Sequence, residues 1–227
     1  MITESIQTLS PWLDKLDYDW QALEGLGTIK HFEKHHMLYH FGDPVDAIYI
    51  VKSGRVRLFL TSYDGREKAI AIIGENGLLG ESSLYKPSSH ISSAITATPT
   101  TVIAVEKDTF KRTIDENQRY TWQLIEIMSW KVHLLSMHSL HLSFGTSLQR
   151  LCDALIHLGL TYGEKIEDDQ IKITITFTHQ ELADLIGTTR VTVANHLKDL
   201  IAQHIISKRG KYYIIKDMTQ LSNMLVT

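Results

Sequence analysis

Residues 177–216 read FTHQELADLIGTTRVTVANHLKDLIAQHIISKRGKYYIIK, and the placing of caps, apolar residues and one glycine predicts two short helices joined by a tight turn. Thr178 and Glu181 stand three apart at its start. That is a capping box, in which each side chain bonds the other's backbone N–H and satisfies donors that a first helical turn leaves open. Leu182 and Ile186 then share one helix face, and Gly187 permits a turn that a side chain would strain. A second helix is expected from Thr189 to about Gln203, with Val193, Leu197 and Leu200 inward. Arg190, Val191, Ala194, Asn195 and Lys198 are left facing outward. IISKRGKYYIIK follows as a hairpin with Lys208, Arg209 and Lys211 at its tip.

Two helices joined through a glycine and followed by a basic hairpin predict a winged helix-turn-helix whose second helix enters a major groove. The outward residues suit that task. Arg190 can donate twice to a guanine edge, Asn195 can pair with adenine, and Val191 can pack on a thymine methyl. Thr178, His179, Gln180, Thr188, Thr189 and Thr192 fall near helix starts, where hydroxyls and backbone N–H groups hold phosphates. From Thr178 to Lys216 there are six basic residues against three acids, about +3 in a chain of net charge −3. A basic C-terminal piece on an acidic body is the asymmetry of a DNA-binding module attached to something else. A helical hairpin that binds protein is the competing reading, and the cap, glycine, outward Arg and Asn, and basic wing together favour DNA.

Upstream, residues 28–106 are rich in β-branched and aromatic residues cut by turn signals at Gly42-Asp43-Pro44, Ser53-Gly54, Asp64-Gly65, Gly74-Glu75-Asn76-Gly77 and Lys86-Pro87. Many short strands with such turns predict a β-barrel or jelly roll. AIYIVKSG and RVRLFLTSYDG read as a hairpin that EKAIAIIGENG continues, and YDWQALEGLG as a short helix docked on the barrel. From about Asp108 to Leu142 glycine and proline vanish, which predicts one long helix. Ile127, Trp130, Leu134, Met137, His141 and Phe144 recur at 3, 4, 3, 4, 3, the seam of a coiled coil. A second stripe holds Leu124, Ile125, Met128, Leu135 and Leu142. The simplest assignment gives the first stripe to a partner helix, hence a homodimer, and the second to the helix's own barrel. After SFGTS a helix is expected over Leu148 to Leu160 with Leu151, Leu155 and Leu158 on one face, then a strand pair in EDDQIKITITF. The expected division is an effector-sensing barrel over 1–107, a dimerisation helix over 108–144 and a DNA-binding domain over 145–227.

At 227 residues and 43% apolar content the chain can bury two modest cores. It has no apolar run of the roughly 18 residues a membrane span needs, and MITESIQTLSPW lacks the pattern of a signal peptide, so a cytoplasmic protein is expected. Cys152 is the single cysteine, which excludes an internal disulfide and a cysteine-held iron–sulfur cluster and makes a buried structural thiol the simplest role.

Barrel, long helix and winged helix-turn-helix, in that order, resemble the Crp/Fnr family of bacterial transcription regulators over essentially the whole chain. The residues that carry the resemblance are Val51-Lys-Ser-Gly54-Arg-Val56, Gly80-Glu81, and Thr178 to Lys211. It implies an α+β fold with a cyclic-nucleotide-binding-like barrel, a homodimer, and an inverted-repeat operator on double-stranded DNA, with RNA polymerase as a partner if the protein activates. It also implies an effector site at the barrel built from Gly80, Glu81, Ser82, Ser83, Leu84, Tyr85, Ile91, Ser92, Leu135 and Ser136. Cyclic-nucleotide binders of the family place an arginine eleven residues after the glycine, where this chain has Ile91. A buried phosphate with no cationic partner is costly, so cyclic AMP is not the expected effector. The CprK-like branch, which also lacks the clamp, carries a Val-Thr-Val run as at 191–193, and by that similarity the effector would be an apolar or aromatic compound. Asn195 departs from the arginine common in that branch, and with Val191 it points to A/T-rich half-sites.

Two other readings compete. Twelve histidines, His90 and His138 among them, keep a haem-based gas or redox sensor of the same family as the alternative, although hydrogen-bonded or surface histidine is the ordinary role. His35-His36-x-x-x-His40 suggests a jelly-roll metal enzyme, but the H-x-H pair with downstream glutamate and histidine that such a site uses is missing. No catalytic residue, metal or resident cofactor is expected.

Overall fold

A computed structural model describes residues 11–85 and 89–225, which form two compact units, one from Pro11 to His133 and the other beginning at Leu134. In the first, nine strands make two sheets: β1 (Trp12–Leu13), β2 (Thr28–Phe32), β3 (Met37–Tyr39), β4 (Ala47–Ser53), β5 (Val56–Thr61), β6 (Glu67–Ile73), β7 (Leu78–Leu79), β8 (Ser93–Thr96) and β9 (Thr100–Glu106). One sheet runs β1-β6-β5-β8-β3 and the other β2-β9-β4-β7. The expected sandwich or barrel is thus present. The expected pairing of β4 with β5 is not, because β4 pairs with β9 and β7 while β5 pairs with β6 and β8. Gly54 is the cause: its φ of +83° turns the chain from one sheet into the other, and a Cβ there would stand 2.3 Å from the Pro99 carbonyl.

The core between and beneath the sheets joins Ile48, Ile50, Leu78 and Val105 to Trp20, Leu23, Phe110, Ile114, Tyr120 and Ile127. Trp20 is buried with its indole N–H donating to Asn76 O at 2.9 Å, so the polar edge of the ring is satisfied. The short helix expected around it is one turn, Gln21–Glu24.

The long helix expected from 108 is two helices, Lys107–Glu116 and Gln118–Phe144. They break at Asn117, whose backbone is extended and whose Oδ1 accepts from Arg119 N and Tyr120 N at 3.1 and 3.4 Å. Asparagine caps a helix start by competing with the backbone, and the absence of Gly and Pro conceals such a break. On the second helix the barrel core draws on both expected stripes: Leu124 and Met128 pack there as expected, Ile127 from the other stripe joins them, and Phe144 of that other stripe is exposed. Ile127 lies in the barrel unit's own core and Leu134 is buried, while Ile125, Leu135 and Leu142 are each close to half exposed.

In the second unit, helix Ser147–Tyr162 starts with a capping box of Thr146 and Gln149 and buries Leu151, Leu155 and Leu158 as its spacing predicts. The sheet β10-β11-β13-β12 is built from Gly163–Lys165, Ile171–Ile173, Ile206–Arg209 and Tyr212–Ile215, with β10 and β13 antiparallel to β11. Cys152 is fully buried, and burial pushes its thiol up to about 12, the state of an inert structural cysteine.

His157, on the same helix, is 4% exposed and sits 3.6 Å from Asp153. Burial lowers its imidazole below the ordinary value, against a smaller opposing pull from Asp153. The neutral form is the one that fits, so His157 stabilises fully above the unfolded imidazole pKa of about 6.5, and that contribution is lost as pH falls below it. Chemical denaturation at pH 7.5 and 5.5 should show lower stability at the acid value, with a smaller difference in His157→Gln. An unchanged difference would remove this account of the histidine.

Candidate functional site

The helix pair His179–Ile186 and Arg190–Ala202 forms where the sequence places it. Both arms of the capping box are made: Glu181 N donates to Thr178 Oγ1 at 3.1 Å and Thr178 N to Glu181 Oε2 at 2.6 Å. Gly187 adopts φ 68°, ψ 55°, the left-handed conformation that closes the first helix. Thr189 caps the second by accepting from Thr192 N at 3.1 Å. Leu182, Ile186, Val193, Leu197 and Leu200 are buried, which fixes the rotation of the second helix. Arg190, Val191, Asn195 and Lys198 are exposed on its other face, and Arg190, Asn195 and Lys198 make no side-chain hydrogen bond or ion pair among the described residues. Four neighbouring side chains of the kinds that read base edges and phosphates therefore share one accessible face.

The wing is the hairpin Ile206–Arg209 and Tyr212–Ile215, turned at Gly210 with φ +62°. Lys208 lies over the Tyr213 ring at 5.3 Å and Lys211 over Tyr212 at 5.5 Å, which holds both ammonium groups by cation–π attraction while Arg209 is exposed. His179 joins first helix to wing through a 2.9 Å contact with the Tyr213 hydroxyl. Its pKa is lowered by burial first, then by Lys208 and Arg190. Not every nominated phosphate contact is open. The Thr188 N–H is bonded to Ala183 O at 3.0 Å, and the Gln180 amide donates to Asp184 at 2.7 Å.

One side chain that sequence reasoning passed over organises this unit. Arg150 donates from Nε to Ile186 O at 2.7 Å, from Nη1 to Gly145 O at 2.6 Å and His141 O at 3.3 Å, and from Nη2 to Gly187 O at 3.4 Å. No spacing rule signals an arginine whose partners are all backbone carbonyls.

In the barrel, Gly80 has φ +88° and leads into the turn Glu81–Ser83. The Glu81 side chain is sealed from solvent and its Oε1 is 2.5 Å from Lys131 Nζ, which also donates to Leu78 O at 3.0 Å. Glu81 Oε2 has no hydrogen-bond partner among the described residues. The hydroxyl of Tyr39, a buried residue, lies beside Ser92 and the Gly80 N–H, and its ionisation is driven far up, by burial first and then by Glu81. A phenol thus stands beside the groups that would cradle a phosphate. Leu84 is in the core and Ser83 is buried, whereas Tyr85 and Ile91 are exposed and the Tyr85 hydroxyl bonds Asp115 at 3.0 Å. Ser82 is half-buried, and Leu135 and Ser136 belong to the other unit.

A cavity of about 270 Å³ opens elsewhere in the barrel, lined by Leu38, Tyr39, Asp43, Pro44, Asp46, Ala47, Tyr49 and His90. Asp43-Pro44 reads in sequence only as a turn. Among the described residues no three His, Cys, Asp or Glu side chains are grouped to hold a metal, and no helix is long and apolar enough to cross a membrane.

Replacing Lys131 by Met should cost about 3 kcal/mol, because it leaves a buried carboxylate without its cation, and adding Glu81→Gln should recover much of that loss. Losses in urea denaturation that simply add would show the pair to be uncoupled.

The sequence matches the model of the Cyclic nucleotide-binding domain over residues 29–117 and that of the Crp-like helix-turn-helix domain over 149–224. It is 28% identical over 191 residues to a CRP-like cAMP-activated global transcriptional regulator of Mycobacterium tuberculosis, covering 84% of this chain and 85% of that one. A CooA variant from Carboxydothermus hydrogenoformans superposes with a TM-score of 0.79 at 20% identity, covering 92% of both chains. CprK complexed with OCPA superposes with a TM-score of 0.75 at 18% identity, covering 95% of this chain and 97% of that one.

Proposed function

The chain belongs to the Crp/Fnr family of transcription regulators, and from that premise we propose that it is a homodimeric, sequence-specific DNA-binding protein whose operator affinity is set by a small molecule other than a cyclic nucleotide. The observation that carries the DNA reading is the exposed face of Arg190, Val191, Asn195 and Lys198 on a capped helix, with Lys208 and Lys211 beside it on the wing. Arg190 and Asn195 read base edges, and the wing lysines hold phosphates. Two such helices in a dimer meet half-sites about 34 Å apart, on an inverted repeat with A/T-rich halves.

Support for the dimer comes from the exposed stripe of the long helix. Ile125, Leu135 and Leu142, with Val132 beside them, leave apolar surface on one protomer facing water, which a second copy of the helix would cover. Against a cyclic nucleotide stand three facts: Ile91 occupies the clamp position, Glu81 is already paired with Lys131, and the buried Tyr39 phenol lies beside Ser92 and Gly80. The apolar or aromatic effector suggested by the CprK-like branch keeps the support of the missing clamp, and the OCPA-complexed neighbour shares the fold.

Arg190→Ala and Asn195→Ala should each cost about 1–3 kcal/mol in operator binding and relax sequence preference at one position, while Lys208→Ala should weaken all sequences alike and lower the salt dependence. Uniform losses from all three would overturn the assignment of base readers. Leu135→Glu should shift the protein toward monomer in sedimentation, and an unchanged dimer would move the interface off this stripe.

A further inference from the structure

The cavity at the Tyr39–His90 stack holds an arrangement that no part of the DNA-binding reading uses. His90 is 5% exposed, its ring lies on Tyr39 at 3.5 Å and 6° between planes, and it makes no side-chain hydrogen bond among the described residues. Its ring nitrogens are not among the buried polar atoms sealed without a partner, so they open to the cavity that His90 lines and are free to bond a ligand there. Burial holds it below its ordinary pKa, so it stands neutral at physiological pH with one nitrogen as an acceptor. Around the same cavity lie Asp43, fixed by accepting from His40 N at 2.7 Å, and the exposed Asp46. Four charged groups bear on His90: Asp43, Asp46 and Glu81 on the negative side, Lys107 on the positive. Glu81 is neutralised by Lys131, which leaves two aspartates against one lysine. Tyr39 and Tyr49, whose rings stack 6.2 Å apart, supply aromatic surface.

We propose that this cavity binds a small organic cation, a primary ammonium, held by Asp43 and Asp46, accepted by His90 and flanked by Tyr39 and Tyr49. An ammonium fits every feature of the lining. Its positive charge meets the carboxylates, one N–H meets the imidazole acceptor, and its carbon stem lies against the aromatic rings. An anion would face two carboxylates. A metal ion would need three such ligands in one tight group, and the described residues offer none, whereas an ammonium with its carbon stem reaches more widely spaced acceptors. The volume of about 270 Å³ is just under the roughly 300 Å³ at which sites for drug-sized molecules begin, which sets the ligand at the scale of a simple amine.

The site is tested apart from the regulatory reading, because binding is measured without DNA. Calorimetry of the full chain at pH 7.5 with tyramine, agmatine and putrescine should show saturable binding of at least one. For tyramine the comparison is 4-hydroxyphenylacetate, which carries the opposite charge and should bind at least about tenfold more weakly. Asp46 is exposed, so Asp46→Asn folds as the parent does, checked by its melting temperature, and should weaken the bound amine about tenfold. His90→Asn should weaken it as well. No binding by any of the three amines, equal binding of tyramine and its acid counterpart, or parental affinity in Asp46→Asn would overturn the proposal.

Discussion

A single guanidinium gathers the DNA-binding unit. Arg150 reaches four carbonyls, at His141 and Gly145 where the long helix ends and at Ile186 and Gly187 where the helix-turn-helix bends. Both places are helix C-termini, where the last carbonyls lack a full set of intrahelical donors and the dipole is negative, although His141 O also accepts from Gly145 N at 2.9 Å. A guanidinium is the side chain with enough fixed donors to serve both at once, and it cannot shed its charge when partly buried. Burial does draw its pKa down, a cost that the four charge-assisted bonds offset. The end of the long helix and the turn before the recognition helix are in this way bound to one residue, so the recognition helix takes its angle from the helix end.

The barrel follows a different logic, in which polar groups that could greet a ligand are occupied from within. Lys131 takes Glu81, and the Tyr39 phenol is buried beside Ser92 and the Gly80 N–H. One oxygen, Glu81 Oε2, is the exception. The room that remains lies on the far edge of the Tyr39–His90 stack, among carboxylates, and its character is opposite to that of a phosphate site.

Which features were legible in the sequence follows from how local their physics is. Thr178, Glu181 and Gly187 act over three or four residues, so the helix-turn-helix, its caps and its outward face could be placed to within a residue or two. The alternation of residues 47–73 gave strands, but the partner of each strand depends on where Gly54 sends the chain, and that is decided by Pro99 and Thr100 forty-five residues on. Heptad spacing revealed two stripes on the long helix without saying which residues of each the barrel would claim; Leu124 and Ile127, one from each, were decided by Phe110, Tyr120 and the sheet beneath them. Lys131, Tyr39 and Arg150 carried no signal at all, since each works through a partner distant in sequence or through backbone carbonyls. Asn117 broke a helix that composition alone would continue.

The central claim is that this protein reads DNA sequence as a symmetric pair. Selection of bound duplexes from a random pool by the purified full chain, with and without small-molecule candidates, addresses it directly. The account predicts enrichment of an inverted repeat with A/T-rich halves whose centres lie about one helical turn apart. A pool that stays unenriched under every condition would contradict it and leave the capped helix pair as a surface for binding protein.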